Sequence, residues 1–265
     1  MNEKNMTVAE EQEIVRAWDA VVDCLPAALA APGQVMLVPR KARMEVILGG
    51  LSAAWIHRAD GAWRFRFMVG LLEEAEYTVE DAQTIADTLT RAALTRIACA
   101  APVSSGCFDV DGPRIRWAGG GPYQGRPLIN LNGCAGIRHA SWELMDALKR
   151  MGRDVVAPIL EERLRRAVEG RPGVVLAAHD EWAGGEFTVE STATGRTLAW
   201  VRVGSDGVLD YIAHGRTNSA PLWPGRSPRG LGERGRRVLN RLIDLVEDEI
   251  IEHTNRINEN EENNR

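Results

Sequence analysis

Two runs of alternating side chains, residues 52–58 and 62–69, flank the dipeptide Asp60-Gly61. An Asp-Gly pair accepts the positive φ angles of a two-residue hairpin turn, so it fixes both the pairing and the register of the strands beside it. Counting outward places Arg58 opposite Trp63, His57 opposite Arg64, Ile56 opposite Phe65 and Trp55 opposite Arg66. Side chains alternate along a strand. One surface therefore carries Ile56, Trp63, Phe65, Phe67 and Val69, and the other Trp55, His57, Arg64 and Arg66. The first set is a core layer and the second a polar face.

The remaining periodicities put helices around such sheets. Thr7 and Glu10 have capping-box spacing, and Ile14, Trp18, Val21, Val22, Leu25 and Leu29 then form one apolar stripe. Pro26 bends or restarts this helix, and Pro32-Gly33 ends it. Strands follow at residues 34–38 and 44–48. A second helix is expected over residues 78–97, capped by Thr78 and buried along Ile85, Leu89, Ala93 and Ile97. Asp111-Gly112 reads as a second hairpin turn, pairing Asp109 with Arg114 and Phe108 with Ile115. After a Gly-rich loop (118–126) and a short strand (128–131), Ser141 caps a helix to about Met151. Asp154 caps its continuation past Pro158 to about Glu169. Arg171-Pro172-Gly173 divides the chain into lobes 1–170 and 171–265. Strands at 174–179, 186–192, 196–203 and 208–213, with a turn at Asp206-Gly207, form a meander. Residues 215–235 read as a loop and 231–257 as a long terminal helix. The fold class is α+β, with antiparallel sheets flanked by helices. Helix, strands, helix occurs twice, without a residue-level repeat.

Between residues 50 and 170, the carrying residues are the hairpin Trp55-Ile56-His57 with Trp63-Arg64-Phe65-Arg66-Phe67, then the helix from Val79 to Ile97. The run Gly106-Cys107-Phe108-Asp109-Val110-Asp111-Gly112 follows, and then a helix bearing Pro158-Ile159-Leu160. In this order the segment resembles the YbjN-like family, which shares the type III secretion chaperone fold. The resemblance covers under half of the chain and includes no catalytic motif. It implies a non-enzymatic, chaperone-like module that binds another polypeptide.

Composition narrows the chemistry. The chain has 265 residues and a net charge of −5, so the whole molecule is not an electrostatic nucleic-acid binder. No apolar run reaches the roughly 20 residues of a bilayer span, and the acidic, polar N-terminus does not read as a secretory signal. The expectation is a soluble cytoplasmic protein without a membrane partner. Lysine occurs only at Lys4, Lys41 and Lys149, so the other 29 of the 32 basic residues are arginine. Cys24, Cys99, Cys107 and Cys134 form no CxxC pair and read as reduced thiols. Asp109-Val110-Asp111 has the spacing of a cation site, but the hairpin register assigns Asp109 to Arg114 and Asp111 to the turn. The loop Gly119-Gly120-Gly121-Pro122-Tyr123-Gln124-Gly125-Arg126-Pro127 lacks the Lys and the Ser or Thr of a phosphate loop. Cys107, Cys134 and His139 offer three soft ligands without the paired spacing of a zinc site. His179-Asp180-Glu181 resembles a base with acidic neighbours, yet also a strand entering a turn. No nucleophile, metal catalyst or cofactor is implied.

Three surface features remain. Trp55 beside Arg64 and Arg66 makes a cationic aromatic patch on the outer face of the first hairpin, suited to an acidic or aromatic partner. Residues 216–241 carry Arg216, Arg226, Arg229, Arg234, Arg236, Arg237 and Arg241 against one acid, Glu233, with Trp223 between prolines. That pattern suits a nucleic-acid backbone. It equally suits Asp244, Glu247, Asp248, Glu249 and Glu252 of the terminal helix. Leu239, Leu242, Val246, Ile250, His253 and Ile257 have the spacing of a self-association seam, or of a stripe packed on the chain's own sheet. The sequence favours a polypeptide-binding protein that forms a homodimer. A nucleic-acid-binding accessory protein is the alternative, and an enzyme with an unrecognised site around Cys107, Cys134 and His139 stands third.

Overall fold

The computed structural model describes residues 5–67, 76–103, 105–120, 122–179, 185–204, 208–221 and 231–263. They form an α+β fold with three antiparallel sheets. Two compact units share the chain: Met1–Trp117 with Arg126–Met145, and Ala118–Gly125 with Asp146–Arg265.

In the first unit, helix α1 (Val8–Cys24) begins with the Thr7–Glu10 capping box and is followed by the short α2 (Ala27–Ala30), with Pro26 between them. Then come β1 (Val35–Pro39), β2 (Met44–Leu48), β3 (Leu51–Ala59), β4 (Ala62–Phe67) and β5 (Glu76–Thr78), neighbours in chain order across one five-stranded sheet. The β3–β4 register is the one expected from Asp60-Gly61, including Trp55 opposite Arg66 and Ile56 opposite Phe65. Asp60 and Gly61 adopt φ of +51° and +78°. Ile56, Phe65 and Phe67 are buried, and Trp18 stacks on Phe65 with ring centroids 6.2 Å apart. Trp63 stays partly exposed because its indole N–H reaches the Glu13 carboxylate at 3.2 Å. Val69 lies outside the described residues.

Two expectations in this unit need correction. Helix α3 (Ala82–Ala100) starts four residues later than expected, because Thr78 ends strand β5 and its hydroxyl donates to the Asp81 carboxylate at 2.7 Å. Its buried stripe is nevertheless Ile85, Leu89, Ala93 and Ile97. The second hairpin, β6 (Phe108–Asp111) with β7 (Arg114–Trp117), pairs Asp109 with Arg116 and Asp111 with Arg114. The loop is Gly112-Pro113: Gly112 takes φ of +53°, and Pro113, which has no N–H for a ladder, is excluded from the strand. The shift of two residues preserves the faces, so Phe108, Ile115 and Trp117 are still buried. Strand β8 (Pro127–Asn130) completes this three-stranded sheet.

Helix α4 (Ile137–Val168) is continuous, where two segments were expected. Ser141 does not cap it, since its hydroxyl donates to the Ile137 carbonyl at 3.0 Å. Asp154 accepts from Arg153 and from the Tyr123 hydroxyl. Pro158 sits inside the helix, where losing one backbone bond and crowding the previous turn costs about 3 kcal/mol. Burial of Val156, Leu160 and Leu164 along the same stretch offsets that cost. These residues pack into the core of the second unit, so Arg171 falls within that unit, in the turn after α4.

The second unit adds β9 (Val174–His179), β10 (Glu186–Ser191), β11 (Thr197–Val203), β12 (Val208–Ala213) and β13 (Arg216–Pro221) as another five-stranded meander. The fifth strand corrects the expectation that residues 215–235 are a loop throughout. His214 and Gly215, at φ of +48° and +67°, form a two-residue hairpin that turns the chain back into β13. The Asp206-Gly207 turn lies outside the described residues. Helix α5 (Glu233–Asn263) covers one sheet face with Leu239, Leu242, Val246 and Ile250, against Val201, Val203, Leu209 and Tyr211. Among the described residues no helix is long and apolar enough to cross a membrane.

Candidate functional site

The first sheet has one covered and one open face, and pairing across its strands aligns the open one in rows. Glu45, Trp55, Arg66 and Glu76 lie side by side across β2 to β5, with His57, Arg64 and Thr78 in the row beyond. The Arg43 guanidinium lies 3.6 Å from the Trp55 ring centroid, a close cation–π stack. Glu45 is only 7% exposed and accepts from Arg40 Nε at 2.8 Å. The Ser52 hydroxyl, then Arg40, hold its carboxyl below the usual range. His57 faces Glu76 at 3.2 Å. Arg64 makes no ion pair among the described residues, and Arg66 is exposed.

Among the described residues the face thus presents Arg40, Arg43, Arg64 and Arg66 around a half-buried indole, while Glu45 and Glu76 each have a cationic or imidazole neighbour. Planar guanidinium groups fixed on a rigid sheet suit bidentate contacts with carboxylates, and the ring adds apolar area. Sequence reasoning placed Trp55, Arg64 and Arg66 here but missed Arg40 and Arg43. Those two flank the β1–β2 turn, and only the Glu45–Trp55 pairing reveals their proximity.

On the open face of the second sheet the aromatic and cationic groups are engaged by their own neighbours. Trp200 Nε1 donates to Glu186 at 2.9 Å, Arg202 lies 5.4 Å from the Trp200 ring, and Arg202 meets Asp210 at 3.1 Å. His179 Nε2 lies 3.0 Å from the Thr188 hydroxyl, which donates to Glu190 at 2.9 Å. With its one hydrogen given to Glu190, Thr188 accepts from His179 and is not activated as a nucleophile. Asp180 and Glu181 lie outside the described residues.

The other candidates are dispersed. Cys134 Sγ contacts the Asn130 carbonyl at 3.3 Å, and His139 Nδ1 accepts from the Ala135 N–H at 3.4 Å. Burial first, then Glu143, pushes the Cys134 thiol pKa up. Among the described residues no three His, Cys, Asp or Glu side chains gather as a metal site. Asp111 pairs with Arg116 at 2.7 Å, replacing the expected Asp109–Arg114 pair. Trp223, Arg226 and Arg229 lie outside the described residues, and Arg216 belongs to β13. Arg234, Arg236, Arg237 and Arg241 are exposed on the first turns of α5. Of these, Arg237 has one ion pair, with Glu233 at 3.6 Å. Of the acids further along, Glu249 binds Arg196 at 3.0 Å and Glu252 binds Arg256 at 2.7 Å. Leu239, Leu242, Val246 and Ile250 are buried within their own unit, while Ile257 is partly exposed. No family model, curated protein or solved structure matches the chain.

Proposed function

We propose that this chain is a non-enzymatic polypeptide-binding protein that receives an acidic, partly apolar segment on the open face of its first sheet. The carrying observation is Trp55 with Arg43 stacked at 3.6 Å and Arg64 and Arg66 at alternate positions of β4 on the same face. An extended segment alternating carboxylate and apolar side chains meets guanidinium groups and the indole at such a spacing. The resemblance of residues 50–170 to chaperone-like folds supports the same reading.

The test uses a fluorescent peptide alternating Glu and Leu, with a Lys-Leu peptide as control. The acidic peptide binds, the basic one does not, and affinity falls with salt. Replacing both Arg64 and Arg66 with alanine weakens binding at least about tenfold, as loss of charge-assisted bonds implies. Equal affinity for the two peptides would sink the proposal.

A second reading rests on the exposed stripe Arg234, Arg237 and Arg241, spaced three and four residues apart on α5. Such a stripe can track phosphates, and binding through it would weaken steeply with salt. Retention of single- or double-stranded nucleic acid at low salt, lost when Arg234, Arg236 and Arg237 become alanine, is its test. No retention by the unmodified protein ends it.

A further inference from the structure

Among the described residues, three of the four edges of the two five-stranded sheets carry a feature that blunts pairing. In β1 the bonds from Gly49 N–H to the Gln34 carbonyl and from Arg40 N–H to the Arg43 carbonyl mark 34 and 40 as positions facing β2. Alternation then points Val35, Leu37 and Pro39 outward, and Pro39 has no N–H to offer. Strand β5 has three residues and carries the Glu76 charge. In β13 the two-residue hairpin makes Ala213 and Arg216 a bonded pair, so 217, 219 and 221 point outward. There Pro221 lacks a donor, and the Ser219 N–H is taken by the Asn218 side chain at 2.9 Å. Proline, charge, brevity and side-chain capping are the devices by which sheets avoid edge-to-edge pairing.

Strand β9 has none of them. Its six residues, Val-Val-Leu-Ala-Ala-His, include no proline and no carboxylate, Lys or Arg. Thr192 N–H donates to the Gly173 carbonyl at 2.8 Å, so 173 faces β10 and Val174, Leu176 and Ala178 point their backbone groups away from the sheet. Leu176 and Ala178 have no hydrogen bond on that side among the described residues. Val175, beside them on the open face, is 44% exposed.

We propose that β9 pairs antiparallel with β9 of a second copy of this chain, joining two five-stranded sheets into one across a twofold axis. The strand is complementary to itself. With the axis at Leu176, that leucine meets its own copy, Val174 lies opposite Ala178 of the second copy, Val175 opposite Ala177, and His179 opposite Gly173, so on either side of the axis large meets small and no like charges oppose. Both faces keep their sense, because residues of equal parity are paired. A closed pair also leaves only β13 at either end, where Pro221 and Asn218 stop further growth, so assembly ends at two. An extended segment of another protein could occupy the same edge but carries no such termination. This surface is separate from the seam that the sequence suggested on α5, whose residues up to Ile250 are buried within their own unit.

The test is sedimentation velocity of the full chain over a concentration series, with Ala178→Pro as the variant. The Ala178 N–H points out of the sheet, so proline there removes no bond to β10. The intact protein sediments as a dimer at tens of micromolar. The variant weakens association at least about tenfold, as expected from two lost bonds per dimer. Amide exchange supplies a second readout that needs no variant: Leu176 and Ala178 become protected as concentration rises, whereas Val175 and Ala177 are protected throughout. A monomer at every concentration, or a dimer in which Leu176 and Ala178 exchange freely, overturns the proposal. Protection that appears only when another protein is added assigns the edge to that protein instead.

Discussion

Phe65→Ala tests the packing logic of the first unit. Phe65 is fully buried on β4, with Trp18 stacked at 6.2 Å and Phe67 tilted against it at 4.9 Å. Truncation to alanine loses the transfer energy of the ring and leaves a cavity, together about 3–5 kcal/mol. The lost ring pairs fall within that range, since each such pair is worth about 0.5–1.5 kcal/mol. At a slope of roughly 2 kcal/mol per molar urea, the unfolding midpoint of this unit drops by about 2 M. Arg64→Ala is the control one residue away on the open face, where a surface truncation changes stability by about 0.5 kcal/mol or less. Circular dichroism against urea reads both. Equal losses from the two variants would falsify the assignment of faces, and with it the placement of Arg64 in the proposed binding site.

Two further outcomes follow from the ionisable groups. The Glu45 carboxyl is held below its ordinary value of 4.5, chiefly by Ser52 and then Arg40, so it stabilises the fold above that range. This contribution disappears as pH falls through the lowered value, so Glu45→Gln should narrow the stability difference between pH 7 and about pH 3; an unchanged difference refutes the assignment. Cys99 is exposed, whereas Cys134 is buried with its thiol pKa pushed up. Alkylation at mildly alkaline pH, followed by mass spectrometry, should therefore modify Cys99 first and Cys134 far more slowly; comparable rates would contradict the burial.

What the sequence made legible was set by local chemistry. Asp60-Gly61 fixed a register because nothing beyond the turn competes with it. At Asp111-Gly112 the same dipeptide misled, because Pro113 cannot join a ladder and shifts the turn by one residue. Strand β13 escaped notice because Arg-Thr-Asn-Ser-Ala-Pro has no apolar alternation: it is held by pairing with β12, a tertiary cause. Ser141 and Pro158 read as punctuation, but burial of Val156, Leu160 and Leu164 outweighs both. On the proposed binding face, Trp55, Arg64 and Arg66 were visible through strand register. Arg40 and Arg43 come from the neighbouring turn, and no spacing rule links a turn arginine to an indole on the next strand but one.

The two units are built to one plan and differ in where they leave capacity for a partner. Each has a five-stranded meander with a tryptophan on the open face of its central strand, Trp55 on β3 and Trp200 on β11. Around Trp200, Glu186 accepts from the indole N–H and Asp210 pairs with Arg202, so both groups are already engaged within the sheet. Among the described residues around Trp55 the arginines outnumber the carboxylates, and Arg64 has no ion pair there. The edges show the reverse: β1 and β5 are blunted, while β9 leaves backbone donors and acceptors open. The first unit thus carries the surface proposed for side-chain recognition of a polypeptide, and the second the edge proposed for backbone pairing with its own copy. Because the two surfaces draw on different groups, replacing Arg64 and Arg66 should weaken peptide binding at least about tenfold without changing the sedimentation coefficient. Ala178→Pro should do the opposite.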